Sequence, residues 1–199
     1  RDCLLSRGLG DVYKRQLVDN VELPVQVTIA SGFPKGDKLE FITQKVTELG
    51  ASQIWAFPAD WSVAKWDGKK LGKKVEKLEK IALGAAEQSK RNLVPSITLF
   101  EKKSDFLAQL EQFDRIVVAY EESAKEGEAA ALIQSLTGLE AGSKLLFIFG
   151  PEGGLSPAEI ESFTVKGAIL AGLGPRILRA ETAPLYALSA VSVVTELMN

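Results

Sequence analysis

Apolar residues recur along this chain at two spacings, and the two spacings take turns. Val25 to Ala30 (VQVTIA) places an apolar side chain at every second position, the period of a strand. Leu39, Ile42, Val46 and Leu49 then follow at steps of three and four, one face of a helix, and Gly50 closes the segment. Ile54 to Phe57 predicts a second strand. Leu71, Val75, Leu78, Ala82 and Ala85 predict a long helix after it, and Pro95 stops whatever continues. Short apolar runs at Ile97 to Phe100, Arg115 to Tyr120, Lys144 to Phe149 and Ala168 to Ala171 predict further strands. Helical segments are expected near Phe106 to Phe113, Glu128 to Leu136, Pro157 to Phe163 and Ala183 to Met198. Strands that read as unbroken apolar runs, such as IVV and LLFIF, belong to a parallel sheet covered on both faces. The expected fold class is therefore α/β, a parallel sheet flanked by helices, with the chemistry in the loops at the carboxyl ends of the strands.

Composition narrows the chemistry. The 199 residues carry 24 Lys and Arg against 26 Asp and Glu, so no global positive field draws the chain onto nucleic acid or lipid. Any contact with RNA must use a local patch. One is available: residues 65–80 hold seven lysines against three carboxylates, readable as a solvated helix face with Glu76 and Lys80 paired, or as a contact for RNA phosphates. There is no His, which removes imidazole acids and bases together with His-dependent triads and zinc sites. The lone Cys3 allows neither an internal disulfide nor a cysteine-rich metal site, so no metal is expected. A reducing cytoplasm is the expected compartment, and no apolar run approaches a membrane span. Residues 1–16 lack any period and read as a foreign segment.

Two loops stand out. The first, Gly150-Pro151-Glu152-Gly153-Gly154-Leu155-Ser156, joins an apolar strand to a helix for which Ser156 is the expected cap, with Pro157 in the first turn and Glu159 completing a capping box. It has neither the Gly-Lys-Ser/Thr of a P-loop nor GxGxxG spacing, so a phosphate-rich cofactor is disfavoured. The second, Gly172-Leu173-Gly174-Pro175-Arg176-Ile177-Leu178-Arg179-Ala180-Glu181-Thr182, leads into the final helix with Thr182 as a plausible cap. Two arginines and a glutamate between a glycine turn and an apolar helix suit either a salt-bridged helix start or a functional site. The final helix is apolar nearly all round and is expected to be buried, its small residues permitting close contact with neighbouring elements and with a second subunit.

The sequences FGPEGGLSPAEI and LGPRILRAETAPLYALSA, together with PKGDKLEFITQKVTELGA at Pro34 to Ala51 and EQSKRNLVP at Glu87 to Pro95, resemble the small-subunit (16S) ribosomal RNA uridine-N3 methyltransferases of the SPOUT class, in the family's order. The resemblance implies a C-terminal trefoil knot, S-adenosylmethionine as cofactor, a homodimer, and small-subunit ribosomal RNA or the assembled small subunit as partner, with no membrane. It assigns Phe149, Gly150, Glu152, Gly153, Leu173, Gly174 and Leu178 to the cofactor. Arg179 and Glu181 are implied as catalytic, Arg179 holding the uracil and Glu181 orienting it or the arginine. Arg176, Glu87, Gln88 and Arg91 are implied to face the RNA. Glu152 has an alternative role, pinning the knot by hydrogen-bonding the other loop. Residues 17–24 are expected to be the remnant of an N-terminal RNA-binding barrel, and residues 25–199 the methyltransferase domain. Three other readings stay open: a ribose 2′-O methyltransferase of the same fold, a non-catalytic RNA-binding paralogue, and a nucleotide-dependent oxidoreductase weakened by the missing GxGxxG.

Overall fold

The computed structural model describes residues 20–120 and 129–198; the segment read as foreign, Cys3 and residues 17–19 of the expected remnant lie outside the described residues. The chain alternates β1 (Gln26–Gly32), α1 (Lys38–Glu48), β2 (Gln53–Phe57), α2 (Gly68–Gln88), β3 (Ser96–Leu99), α3 (Lys103–Ala108), β4 (Arg115–Ala119), α4 (Ala129–Leu136), β5 (Lys144–Phe149), α5 (Pro157–Val165), β6 (Ile169–Ala171) and α6 (Ala183–Ser192). All strand pairings are parallel, in the order β3-β2-β1-β5-β4-β6. The expected α/β class is therefore borne out.

The unbroken apolar strands are buried on both sides because each alternates between two cores. Leu145, Phe147 and Phe149 of β5 join Val27, Ile29, Ile42, Val46, Leu188 and Val191 beneath α1 and α6. Leu146 and Ile148 point the other way, with Trp55, Phe57, Phe106 and Phe163 beneath α3 and α5. The period-two geometry of a strand makes one apolar run serve both layers.

Strand order reverses between β1 and β5. From β1 the chain moves outward through β2 and β3, and it then returns to the far side of β5 to lay down β4. The crevice outside the carboxyl ends of β1 and β5 is thus a topological switch point. Backbones meet closely there: a Cβ added to Gly32 would lie 2.6 Å from Cδ of Pro151, so β1 must end in glycine for the loop after β5 to fold over it.

Three local expectations change. The helix near Phe106 to Phe113 begins earlier, at Lys103, and ends as a 3₁₀ turn at Leu110–Gln112. Thr182 makes no side-chain cap for α6, whereas Ser156 and Glu159 form the expected capping box on α5. The last helix is not buried all round: Pro184, Ala187, Leu188 and Val191 face the core, while Tyr186, Val193, Leu197 and Met198 are exposed. Among the described residues no helix is long and apolar enough to cross a membrane.

Residues 20–24 are tied to the domain. The Arg91 side chain, 3% exposed, donates to the carbonyls of Thr47 (2.9 Å) and Ala51 (2.8 Å) and pairs with Glu22. Glu22 in turn accepts the amides of Asn92 and Leu93, each at 3.0 Å. Burial alone would raise the Glu22 pKa, but the Arg91 guanidinium and these amides hold it below the usual carboxylate range. A depressed native pKa contributes stability that is present above the unfolded value of about 4.3 and is lost as pH falls through the native one. Glu22→Gln is accordingly expected to destabilise the fold by about 3 kcal/mol at pH 7, because it leaves a buried guanidinium without its anion. The deficit relative to wild type should shrink when urea titrations are repeated near pH 3; an unchanged deficit would dissociate it from the ion pair.

Candidate functional site

Loops from five strands converge at the switch point. The start of α1 just after β1 supplies Lys38, the loop after β2 supplies Trp61, β4 ends in Ala119 and Tyr120, β5 leads into residues 149–155, and the segment after β6 supplies Ile177, Leu178, Arg179, Ala180 and Ala183. Together they wall a cavity of about 730 Å³. A narrower extension of about 100 Å³ is lined by Leu173, Gly174 and Arg176 and shares Ala119, Tyr120, Ile177, Leu178 and Ala183 with the main chamber. The two glycine loops, twenty residues apart in sequence, therefore face one space.

The first loop can fold this tightly because Gly150 has no side chain: a Cβ there would stand 2.8 Å from the carbonyl carbon of Gly154. Behind it lies a polar anchor. The Glu159 side chain is 1% exposed. It accepts the Ser156 amide (2.9 Å) and the Asp60 amide (2.9 Å) and pairs with Lys103 (3.1 Å). Asp60 accepts the Ser156 hydroxyl (2.6 Å) and also pairs with Lys103, whose ammonium and the Ser156 hydroxyl hold the Asp60 carboxyl below its ordinary pKa. These bonds tie the loop after β2 to the loop after β5.

The second loop is joined to the first by one cation. Lys38 Nζ lies 2.9 Å from Glu152 Oε1 and 3.3 Å from Glu181 Oε2. Glu152 also accepts the Lys35 amide at 3.0 Å. Its carboxyl, which burial alone would push upward, is held low by the Lys38 ammonium and the amides it accepts. The Glu181 carboxyl is also held low, by its own backbone amide and by the nearby Lys38 charge. The Lys38 pKa is raised by these anions, chiefly Glu152. All three groups are charged at neutral pH. Arg179 extends beyond them, its side chain 84% exposed and its guanidinium 4.0 Å from Glu181.

Phe149, Gly150, Glu152, Gly153, Leu178 and Arg179 thus line the chamber, and Leu173, Gly174 and Arg176 line its extension. Glu181 stands behind Arg179. Glu152 does connect the loops, though through Lys38 and not by a direct bond. Glu87, Gln88 and Arg91 are brought elsewhere. Helix α2 runs back from the loop after β2 to the start of β3, so its end lies at the amino end of the sheet, away from the chamber. Glu87 and Gln88 are exposed there, and Gln88 edges a groove with Gln44, Lys45 and Glu48. The donors of Arg91 are taken up by the protein itself. Sequence reasoning gave no role to Lys38, Asp60, Trp61 or Lys103. Only Lys38 left a signal: a cation in the first turn of a helix opposes the helix dipole, so something else must hold it there.

Comparison with known proteins follows the same residues. A model of the RNA methyltransferase domain matches residues 21–192. The chain is 55% identical over 181 residues to the ribosomal RNA small subunit methyltransferase E of Bacillus subtilis, which spans 91% of this chain and 71% of that protein. It is 32% identical over 184 residues to the protein of the same name from Mycobacterium bovis, spanning 92% and 68%. A crystal structure of a ribosomal RNA small subunit methyltransferase E from Neisseria gonorrhoeae bound to S-adenosyl methionine superposes with a TM-score of 0.74 at 27% identity, covering 89% of this chain and 70% of that one.

If Lys38 links the loops, Lys38→Met should raise the carboxyl pKa values of Glu152 and Glu181 toward ordinary values, as read by carboxyl-carbon NMR titration. Amide exchange across residues 176–182 should quicken, with a global loss of about 1 kcal/mol, since all three groups are partly exposed. Unchanged titration of both carboxyls would break the link.

Proposed function

The chain belongs to the RNA methyltransferase domain family, and from that membership we propose that it methylates N3 of a uridine in small-subunit ribosomal RNA, with S-adenosylmethionine as donor. The observation that carries this reading is the meeting of two glycine loops on one chamber at the switch point. The residues present fit the donor. Its adenosine and methionine parts need a tightly folded backbone lining, which Gly150 permits by letting the loop close onto Gly154, and apolar walls, which Phe149, Leu155 and Leu178 provide. It has no phosphate, and neither loop offers a phosphate cradle. When bound, S-adenosylmethionine supplies a methyl group on a positively charged sulfur. The meeting of the loops also supports the knotted threading that the resemblance implies.

The chain's own residues then have distinct tasks. Glu152, kept ionised on the chamber wall, offers a carboxylate that suits a cationic ligand, and Glu181, ionised behind Arg179, ties the second loop to Lys38. Arg179, exposed at the mouth, donates to the uracil oxygens, on which negative charge gathers as the N3 proton leaves. Glu181 orients Arg179. Arg176, beside the extension, meets an RNA phosphate. Carboxyls held below their ordinary range are weak acceptors for the uracil proton, and the chain contains no imidazole. We therefore assign that proton to water, which makes the arginine's charge and the fixed geometry the chain's main contributions.

A second copy of the chain is part of the proposal. The apolar side chains of Tyr186, Val193, Leu197 and Met198 stand exposed along one C-terminal face, which suits a homodimer contact. Sedimentation velocity should show a dimer, and Leu197→Glu should shift it toward monomer; a monomeric wild type would remove this part of the reading.

Nucleoside mass spectrometry of small-subunit ribosomal RNA treated with the protein and S-adenosylmethionine should reveal N3-methyluridine. Ribose 2′-O-methylation in its place would overturn the assignment. Arg179→Ala is expected to slow single-turnover methyl transfer about 100- to 1000-fold, the scale of losing one charge-stabilising donor. Its donor affinity, measured by calorimetry, should change much less. Near-normal turnover in this variant would refute the role given to Arg179.

A further inference from the structure

The three tryptophans are used in different ways. Trp55 is 4% exposed and packs edge-on against Phe100 and Phe113, with ring centroids 5.2 and 5.3 Å away. Trp66 lies 4.3 Å from Phe33 and carries the Lys74 ammonium 4.5 Å above its ring. Trp61 is 50% exposed at the chamber wall, although the backbone around it is firmly held. The Asp60 amide is bonded to buried Glu159, the Ser62 amide donates to Ala59 at 3.0 Å, and the Trp61 carbonyl and Cβ stand just over 3 Å from where a Cβ on Gly153 would be. The indole is presented to solvent on a rigid mount.

A row of unneutralised cations follows it along the chain. Lys65, Lys69, Lys70 and Lys73 are exposed, and among the described residues their ammonium groups meet no carboxylate. Asp67, the nearest acid in sequence, has an oxygen committed to capping α2 through the Lys70 amide. Glu40 of α1 pairs with Lys74 at 3.2 Å and Lys77 at 3.1 Å, which fixes the face of α2 turned toward α1. Lys70 continues that face one turn nearer the start of the helix, at the carboxyl end of the sheet where Lys38 meets the chamber. A half-exposed aromatic at the mouth followed by free lysines is the pattern that holds a single nucleic-acid strand, stacking a base and tracking its phosphates.

We propose that Trp61 is the stacking platform for a base of the RNA strand adjoining the methylated nucleotide, and that the phosphates of that strand run over Lys65, Lys69, Lys70 and Lys73. This rests on the RNA substrate proposed above and adds the surface that receives it. Stacking tolerates any base, so Trp61 positions the strand and Arg179 reads the uracil.

The test uses octauridylate as the probe, with anisotropy and tryptophan fluorescence as readouts. Wild type should bind it with quenching. Trp61→Phe should keep the affinity within about threefold and lose most of the quenching, and Trp61→Ala should weaken binding about tenfold. Lys70→Gln with Lys73→Gln should flatten the dependence of log affinity on log salt by about 0.7 for each phosphate that is no longer neutralised. S-adenosylmethionine affinity should be unchanged in the lysine double variant, whose residues lie outside the chamber wall. No binding by wild type, full quenching retained in Trp61→Phe, or RNA affinity unchanged in Trp61→Ala would each overturn the platform, as would dissociation of a dimer by Trp61→Ala with RNA affinity intact. If octauridylate binds through Trp61 and no ribosomal RNA fragment is methylated, the proposed activity fails while the platform stands.

Discussion

One ammonium group, Lys38 Nζ, lies between two carboxylates that belong to different loops, and the site depends on that placement. Without a cation there, Glu152 and Glu181 would face each other as like charges in a partly buried crevice, and each would be driven apart or protonated. With it, the turn after β1, the loop after β5 and the segment after β6 become one ionic unit. The arrangement is local in space and long-range in sequence, since it joins residues 38, 152 and 181. It can form only after β1 and β5 have paired, so assembly of the site follows assembly of the sheet.

A second ionic unit supports the first from behind. Glu159 is almost fully buried, yet the Ser156 and Asp60 amides and the Lys103 ammonium occupy its oxygens. A buried charge satisfied in this way fixes conformation more than it adds stability, because desolvation offsets much of the attraction. Its effect is geometric: the helix cap that starts α5 also holds the backbone beside Trp61. The Glu22 and Arg91 pair does similar work at the other end of the sheet, closing the loops around Thr47 and Ala51. Glu152 on the wall and Glu181 behind it are both kept ionised, so the site offers fixed charge where a histidine-bearing site would offer a titrating base.

Much of the layer structure was legible in the sequence because burial imposes periods on it. The doubled apolar pattern of LLFIF required helices on both faces, and the capping box at Ser156 and Glu159 was visible as a local rule with local consequences. The departures have equally physical causes. Thr182 resembled a cap, but backbone hydrogen bonds from Thr182 and Ala183 to the Arg179 carbonyl shape that turn instead. The last helix read as buried, partly against a second subunit, because its apolar residues go round the cylinder, and the sequence says nothing about how much of that cylinder one chain covers.

By itself, the sequence determined the alternation of strands and helices, the two glycine loops, and the absence of imidazole and phosphate-cradle chemistry, since each depends on residues close together along the chain. The tertiary structure alone decided that Lys38 bridges Glu152 and Glu181, that Arg91 closes a loop away from the chamber, and that Trp61 stands exposed while Trp55 and Trp66 are packed away. The reason is that a charge or an aromatic ring takes its role from its neighbours in space. In a parallel sheet whose order reverses, those neighbours lie far away along the chain, and no local spacing encodes them.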